Sequence, residues 1–430
     1  MKKKELHIRV HEVTRVEGHG NILIDMHKGR VKEVWLQITE PPRFFEAMLV
    51  GRRYDEAQHI MSRICGICAV SHTCASLKAV ESAMGIKISR QALLLRRLAF
   101  CAEVIQSHIL HIFFLVLPDC LGVGSIVPLM DSHPGVARDG LELKKLANEI
   151  CSIVAGRHIH PISLYPGGVA HTPKETELKR IREALKNSFA RLDRTLELMI
   201  KLPVPELDKP REFISLKAKG EYAIYGGEPF SSKKYHLKTE TYTKNIKEYI
   251  VYHSAAKHAK TKKGTFMVGA LARINNNFKQ LNPRAKNALK RARLKPPANN
   301  PFLNNMAQLI ECFNMAEDAV RIIDRLLADG VKNEPLGRPT TFGRGIGIVE
   351  APRGTLYHEY HINRDGVVDK AVCIIPTAQN LRSIEADLKH LVPMIIDKSK
   401  EEIRKTIEML VRAYDPCISC STHYMDVRFV

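Results

Sequence analysis

Two Cys-x-x-Cys pairs stand near opposite ends of the 430-residue chain, Cys65-Gly66-Ile67-Cys68 and Cys417-Ile418-Ser419-Cys420. Each alone could be redox-active, half of a zinc site, or coincidence. A thioredoxin-like redox site needs only one pair, on a compact strand–helix unit. Small zinc modules keep their halves close in sequence, whereas about 350 residues separate these two. Chain ends often meet in space, however. Four thiolates brought together make a soft pocket suited to nickel, iron or zinc, and on the cysteines alone zinc leads. The other six cysteines (74, 101, 120, 151, 312 and 373) form no short-spaced run of the ferredoxin kind. No strand-linked Gly-x-Gly-x-x-Gly offers a dinucleotide site.

The pairs need a frame that carries them together. Polar and apolar residues alternate over residues 7–40, with Lys28-Gly29 between two of the runs, which predicts a small antiparallel β unit. Helical periodicity takes over at Tyr54, is interrupted around Cys65-Gly66, and is strongest over 91–117, 141–155, 175–202, 304–329 and 380–414. Residues 207–301, rich in Lys, Asn, Pro and Gly, read as an elaborated surface region with short strands. Short β-like runs return between 337 and 376. The expectation is a mainly α, α+β fold: a bundle of long helices, the N-terminal β unit and peripheral β elements. It divides as one large body over 1–423, with helical parts at 54–202 and 303–423 that each hold one cysteine pair.

Composition narrows the class. A chain 26% charged and 45% hydrophobic suits neither disorder nor a fibre. Residues 104–117 are the nearest approach to a membrane span and are too short, being broken by Gln106, Ser107, His108 and His111. Glu5, His7, Arg9 and His11 follow the N-terminal lysines where a signal peptide would be apolar, so a cytoplasmic chain with reduced cysteines is expected. The net charge of +20 invites a nucleic-acid reading, but the basic residues are spread out and no finger or RNA-recognition signature accompanies them. A solvated basic surface is the preferred reading, with neither nucleic acid nor membrane as a partner.

The neighbours of the cysteines carry more information. Arg63-Ile-Cys65-Gly-Ile-Cys68-Ala-Val-Ser-His72 and Asp415-Pro-Cys417-Ile-Ser-Cys420-Ser-Thr-His423 are joined by Arg15-Val-Glu17-Gly-His19-Gly and Arg43-Phe-Phe-Glu46. Ser107-His108-Ile-Leu-His111 through Pro118-Asp119, Glu350-Ala-Pro352-Arg353-Gly354 and Pro376-Thr377 follow. Together they resemble the large, catalytic subunit of nickel–iron hydrogenases over essentially the whole chain, most of all the cytoplasmic sulfhydrogenase and NAD(P)-linked branch. A zinc-stapled nucleic-acid binder, or a relative that kept the fold without the chemistry, is the competing reading.

The resemblance implies reversible heterolytic oxidation of H2 at a nickel ion beside an iron that carries two cyanides and one carbon monoxide. Cys65 and Cys417 would be terminal on nickel, and Cys68 and Cys420 would bridge to iron. Glu17 would relay the proton, with Cys417 or Arg353 receiving it first. Otherwise Glu17 would cap a helix or pair with Arg15. Arg353 and Thr377 would face the cyanides, with Pro352, Asp415 and His72 supporting them. Glu46, the Cys373 carbonyl and His423 would hold Mg2+, or Fe2+. Ser107 stands where some branches carry an acidic residue.

The resemblance also implies an iron–sulfur small subunit, since two electrons must leave and this chain shows no wire for them. Flavin, NAD(P)-binding and ferredoxin-like subunits would follow, with delivery to a heterodisulfide-reductase or ferredoxin system as the alternative. Residues 424–430 look like a tail that a maturation endopeptidase removes after His423.

Overall fold

The chain opens on an antiparallel meander, Leu6–Val10, Gly20–His27 and Arg30–Ile38, paired in sequence order as the alternation predicts. Its inward residues Ile22, Ile24, Leu36 and Ile38 are buried in the core that holds both cysteine pairs. The computed structural model describes residues 6–28, 30–235 and 237–422.

Long helices form the body. Arg90–Leu110 packs on Pro134–Ala155 and on Asn304–Asp329, which in turn packs on Glu175–Lys201. Asn304–Asp329 matches the expected limits, and Pro134–Ala155 begins seven residues earlier than its periodicity suggests because Pro134 sits at its first turn. The apolar run at 104–117 belongs to one continuous helix, Arg90–Cys120, π-helical over His111–Val116. An 18-residue window in it averages a mean hydropathy of 1.8 and is 83% buried inside the fold, so its length and apolarity serve the core. The single helix expected over 380–414 is two, Pro376–Ile395 and Lys400–Ala413. Ser399 breaks them apart by accepting from the Glu402 N–H while the Glu402 carboxylate accepts from the Ser399 N–H.

The three β-like runs near 337–376 assemble into one antiparallel sheet, Gly343–Ala351, Gly354–Ile362 and Val368–Ile374. The middle region is less superficial than its composition suggests. Ile214, Leu216, Tyr242 and Phe266 are buried in a core cluster that also includes Tyr357 and Ile374 of that sheet. Five consecutive residues of the strand Glu212–Lys217 are buried, the charged Glu212 among them, so composition alone misplaces the region at the surface.

Beneath the sheet turn at 351–354 lies a buried ionic network. The Arg273 guanidinium donates to both carboxylate oxygens of Glu311, at 2.6 Å each, and to Glu350 at 3.1 Å. It also donates to the carbonyls of Ala351 and Pro352, both at 2.9 Å. Burial alone would raise the Glu311 carboxyl, but Arg273 holds it down at about 2. Glu311→Gln leaves a buried guanidinium short of one charge, which costs about 3–5 kcal/mol. The expected outcome is a clearly lower urea midpoint, with the same variant losing activity as the Pro352-Arg353 turn loosens.

Candidate metal centre

Each cysteine pair sits where a helix begins. Cys65 is extended (φ −149°) after a short 3-10 turn, and Cys68 directly precedes the helix Ala69–Met84. The N–H groups of Ile67 and Cys68 donate to Cys65 Sγ at 3.3 and 3.4 Å, so the helix start favours a thiolate there. Cys417 precedes the short turn Ile418–Ser421, and its N–H donates to Thr377 Oγ1 at 2.9 Å from the first turn of Pro376–Ile395. The Thr377 hydroxyl can still donate.

The two pairs meet. Cys65 Sγ lies 3.5 Å from Cys417 Sγ, Cys68 Sγ 3.7 Å from Cys420 Sγ, and the four ligand atoms lie within 4.8 Å of one another. All four are buried and unpaired by disulfides. Hydrogen bonds from its three neighbours pull the Cys65 thiol well below its usual range. Despite bonds from Cys417 and Cys420, Cys68 is pushed up to about 11 by Cys65 and burial. Burial drives Cys417 and Cys420 up as well. Four thiolates therefore cannot ionise together here without a cation, and the donor set suits a soft metal.

Arg353, Thr377, His72, Cys68, Cys417 and Cys420 share the wall of a small closed cavity against the sulfurs. Arg353 Nε donates to the Asp415 carbonyl at 2.9 Å, and its Nη2 lies 3.1 Å from Asp415 Oδ1. Burial disfavours its charge, yet Asp415 and the cysteines hold it firmly protonated. Arg353 Nη1 is buried without a hydrogen-bond partner among the described residues, which leaves it able to donate to an anionic ligand in the cavity.

Glu17 reaches the centre from the loop between the first two strands. Its main chain bridges to residue 417, the Ile418 N–H donating to the Glu17 carbonyl at 2.9 Å. Its carboxylate lies 3.1 Å from Cys417 Sγ and accepts from the Ser419 N–H at 3.0 Å and from the Ser419 hydroxyl. The neighbouring Gly18 has φ +87°, and a Cβ there would come within 2.7 Å of Ile418. The Arg15 pairing is not what the structure has, since Arg15 pairs with Asp119, which Arg412 also holds. The Ser419 N–H lies in the first turn of Ile418–Ser421, so Glu17 does cap that turn while it faces Cys417.

Glu46 lies beside Cys373, as expected, with the Cys373 N–H donating to Glu46 Oε1 at 2.7 Å. In a strand the N–H and C=O of one residue face the same edge, so the Cys373 carbonyl faces Glu46 too. His423 and the tail 424–430 lie outside the described residues. His72 Nδ1 lies 3.2 Å from His358 Nε2. Ser107 is fully buried, and its hydroxyl has no hydrogen-bond partner among the described residues.

Glu103 is a member that sequence reasoning missed. From the helix Arg90–Leu110 its carboxyl accepts from the N–H groups of Val70 and Ser71, capping the helix that follows Cys68. A lone acid in the apolar run Phe100–Ile105 was the available signal. Burial pushes it up to about 8. A carboxyl raised in the fold contributes stability below about pH 4.5 that is lost as pH rises through about 8. The thermal midpoint should therefore fall between pH 5 and 8, and Glu103→Gln, a neutral mimic of the protonated acid, should flatten that fall.

Comparison with known proteins gives the family. The profile of the nickel-dependent hydrogenases matches residues 43–131 and 204–423, and a HoxL-like profile matches 7–40. The chain belongs to the nickel-dependent hydrogenase family. It is 35% identical to the alpha subunit of sulfhydrogenase 1 from Pyrococcus furiosus, over 98% of this chain and 99% of that one. It is 28% identical to the beta subunit of the NAD-reducing hydrogenase HoxS from Cupriavidus necator, over 96% and 93%. A crystal structure of an NAD+-reducing [NiFe]-hydrogenase in the H2-reduced state superposes with a TM-score of 0.88 at 27% identity, covering 97% of this chain and 99% of that one. The chain is thus an oxidoreductase of H2, and its four clustered cysteines could bind a nickel–iron centre. The zinc-stapled nucleic-acid reading falls with that membership.

Proposed function

We propose that the chain is the catalytic subunit of a cytoplasmic complex that oxidises H2 reversibly and passes the electrons through an iron–sulfur small subunit to NAD(P). Sulfur or polysulfide would be its second acceptor. The observation that carries the reading is the Glu17 carboxylate set against one sulfur of a four-cysteine pocket. Cys65 and Cys417 would hold nickel alone, and Cys68 and Cys420 would share it with iron. That pair of metals, with cyanide and carbon monoxide on iron, would supply the Lewis acidity and redox couple that polarise H2.

The chain's own residues do the rest. Cys417 Sγ takes the proton, and Glu17 Oε2, 3.1 Å away, carries it off. Arg353 is too firmly protonated to act as the base, so its role is to face cyanide through Nη1. Thr377 donates from the opposite wall, while Asp415 and the Pro352 turn hold Arg353 in place. His72 would support a cysteine sulfur. Glu46, the Cys373 carbonyl and His423 would hold Mg2+ or Fe2+ under the C-terminal segment.

Ile159 and Ile162 stand 41% exposed, and Ile159 lies over Gly66 of the first pair. Exposed apolar groups beside a metal centre suit the small subunit's docking face. Flavin, NAD(P)-binding and ferredoxin-like chains would complete the assembly. A reducing compartment agrees with ten cysteines none of which is in a disulfide. The family match ends at residue 423, which supports removal of 424–430 by a maturation endopeptidase. Mass spectrometry of active complex should find the chain ending at His423.

Anaerobic complex purified under H2 should reduce NAD+ or NADP+, and polysulfide more slowly. Reduction of a heterodisulfide or ferredoxin alone, with H2/D+ exchange intact, would overturn the acceptor and leave the metal chemistry standing.

A further inference from the structure

A second cluster of metal-ligating side chains lies outside the cysteine pocket. His253 lies in the turn of the hairpin Lys247–Tyr249/His258–Lys260, His258 opens its second strand, and Glu385 faces them from the helix Pro376–Ile395. Their ligand atoms lie within 4.8 Å of one another. His253 Nε2 is 2.8 Å from Glu385 Oε1, and His258 Nδ1 is 3.7 Å from Glu385 Oε2. His258 is 0% exposed, yet among the described residues neither ring nitrogen has a hydrogen-bond partner, and His253 Nδ1 lacks one too. Buried ring nitrogens without partners are costly, and one of them, His258 Nδ1, faces the Glu385 carboxylate.

Ion pairing does not resolve it. Burial, with His253 and Arg382 nearby, pushes the His258 imidazole down to about 3, so the ring is neutral and offers a lone pair. The positive charge of Arg382 is drawn aside: its Nη1 donates to Tyr249 Oη at 3.0 Å. The surroundings hold the donors in place. Trp35 stacks on His253 at 5.8 Å, and the Leu36 N–H donates to Glu385 Oε1 at 3.1 Å.

We propose that His253, His258 and Glu385 bind a divalent borderline metal, zinc in class, as a structural clamp. Two imidazoles and one carboxylate match zinc and argue against magnesium, which prefers oxygen. Zinc bonds of about 2.0–2.2 Å set tetrahedral ligands roughly 3.3–3.5 Å apart, and Glu385 now stands 2.8 and 3.7 Å from the two rings. Water or a neighbouring chain would fill the fourth position, on the side where Glu385 is 14% exposed. The ion would tie the N-terminal meander and the hairpin to the helix that starts at Pro376. Thr377, which receives the Cys417 N–H, lies about 12 Å along that helix from Glu385. The clamp does not depend on the acceptor or proton assignments above.

The test uses the purified complex, treated with EDTA and dialysed against Zn2+, with zinc, nickel and iron counted per chain. Wild type should bind one more zinc than His258→Gln and Glu385→Gln, all with equal nickel and iron, and zinc should raise the thermal midpoint of wild type alone. Should His258→Gln fail to fold, His253→Gln, whose ring is partly exposed, decides by the same count. Co2+ in place of zinc should give tetrahedral visible bands that the variants lack. Equal zinc in wild type and variants, or no zinc in wild type, would overturn the proposal and leave a water-filled pocket.

Discussion

Cys420→Ala, produced with the full maturation machinery, is expected to contain no nickel, to show no H2/D+ exchange, and to keep residues 424–430. Three thiolates remain in that variant, but the charge and geometry argument removes the metal. Cys420 Sγ sits 2.7 Å from Cys417 Sγ and 3.7 Å from Cys68 Sγ, so its loss leaves one side of the pocket without a donor. The methyl group in its place puts apolar surface where a soft ligand belongs. Metal content, exchange and tail retention should therefore fail together, with activity reduced to background. Nickel retained at the wild-type level with activity lost would mean that Cys420 acts in chemistry and is dispensable for assembly.

Glu17→Gln is the second large effect, and of the opposite kind. The amide keeps the shape and can still accept from the Ser419 N–H, so the loop and the metal ligands stay in place. What it cannot do is exchange a proton with Cys417 Sγ at 3.1 Å. General acid–base transfer contributes about 10²–10⁴-fold. H2/D+ exchange should fall by about that factor while nickel and iron remain at wild-type levels. Glu17→Asp should recover part of the rate. Equal loss of nickel and exchange would make Glu17 a structural residue.

The contrast between these two outcomes shows which parts of the site the sequence could reveal. The cysteine pairs, Glu17 and Arg353 were legible because short motifs at fixed spacing carry them, and the structure brings them together, while Glu46 stands apart beside Cys373. The meander at 7–40 and the helix at 304–329 were legible because their apolar periods run unbroken. The break between Pro376–Ile395 and Lys400–Ala413 was not, because the apolar stripes on either side nearly continue in phase and only Ser399 and Glu402 mark the cap.

Glu103 escaped for another reason. A single acid in an apolar run gives no spacing, and its partners, the N–H groups of Val70 and Ser71, have no side-chain signature. The network of Arg273, Glu311 and Glu350 spans 77 residues of sequence and likewise has no local pattern. His253, His258 and Glu385 combine a hairpin with a helix over more than 100 residues, and in the sequence His258 reads as part of a basic surface. Such clusters become visible only once tertiary packing has set their distances.

The central claim is that the two cysteine pairs together hold nickel and iron. Metal analysis joined to infrared spectroscopy of the anaerobically purified complex tests it most directly. The account predicts one nickel per chain, iron beyond what the partner's clusters contain, and sharp stretching bands of bound cyanide and carbon monoxide that vanish in Cys420→Ala. Zinc in place of nickel in fully matured protein, with no such bands, would contradict it.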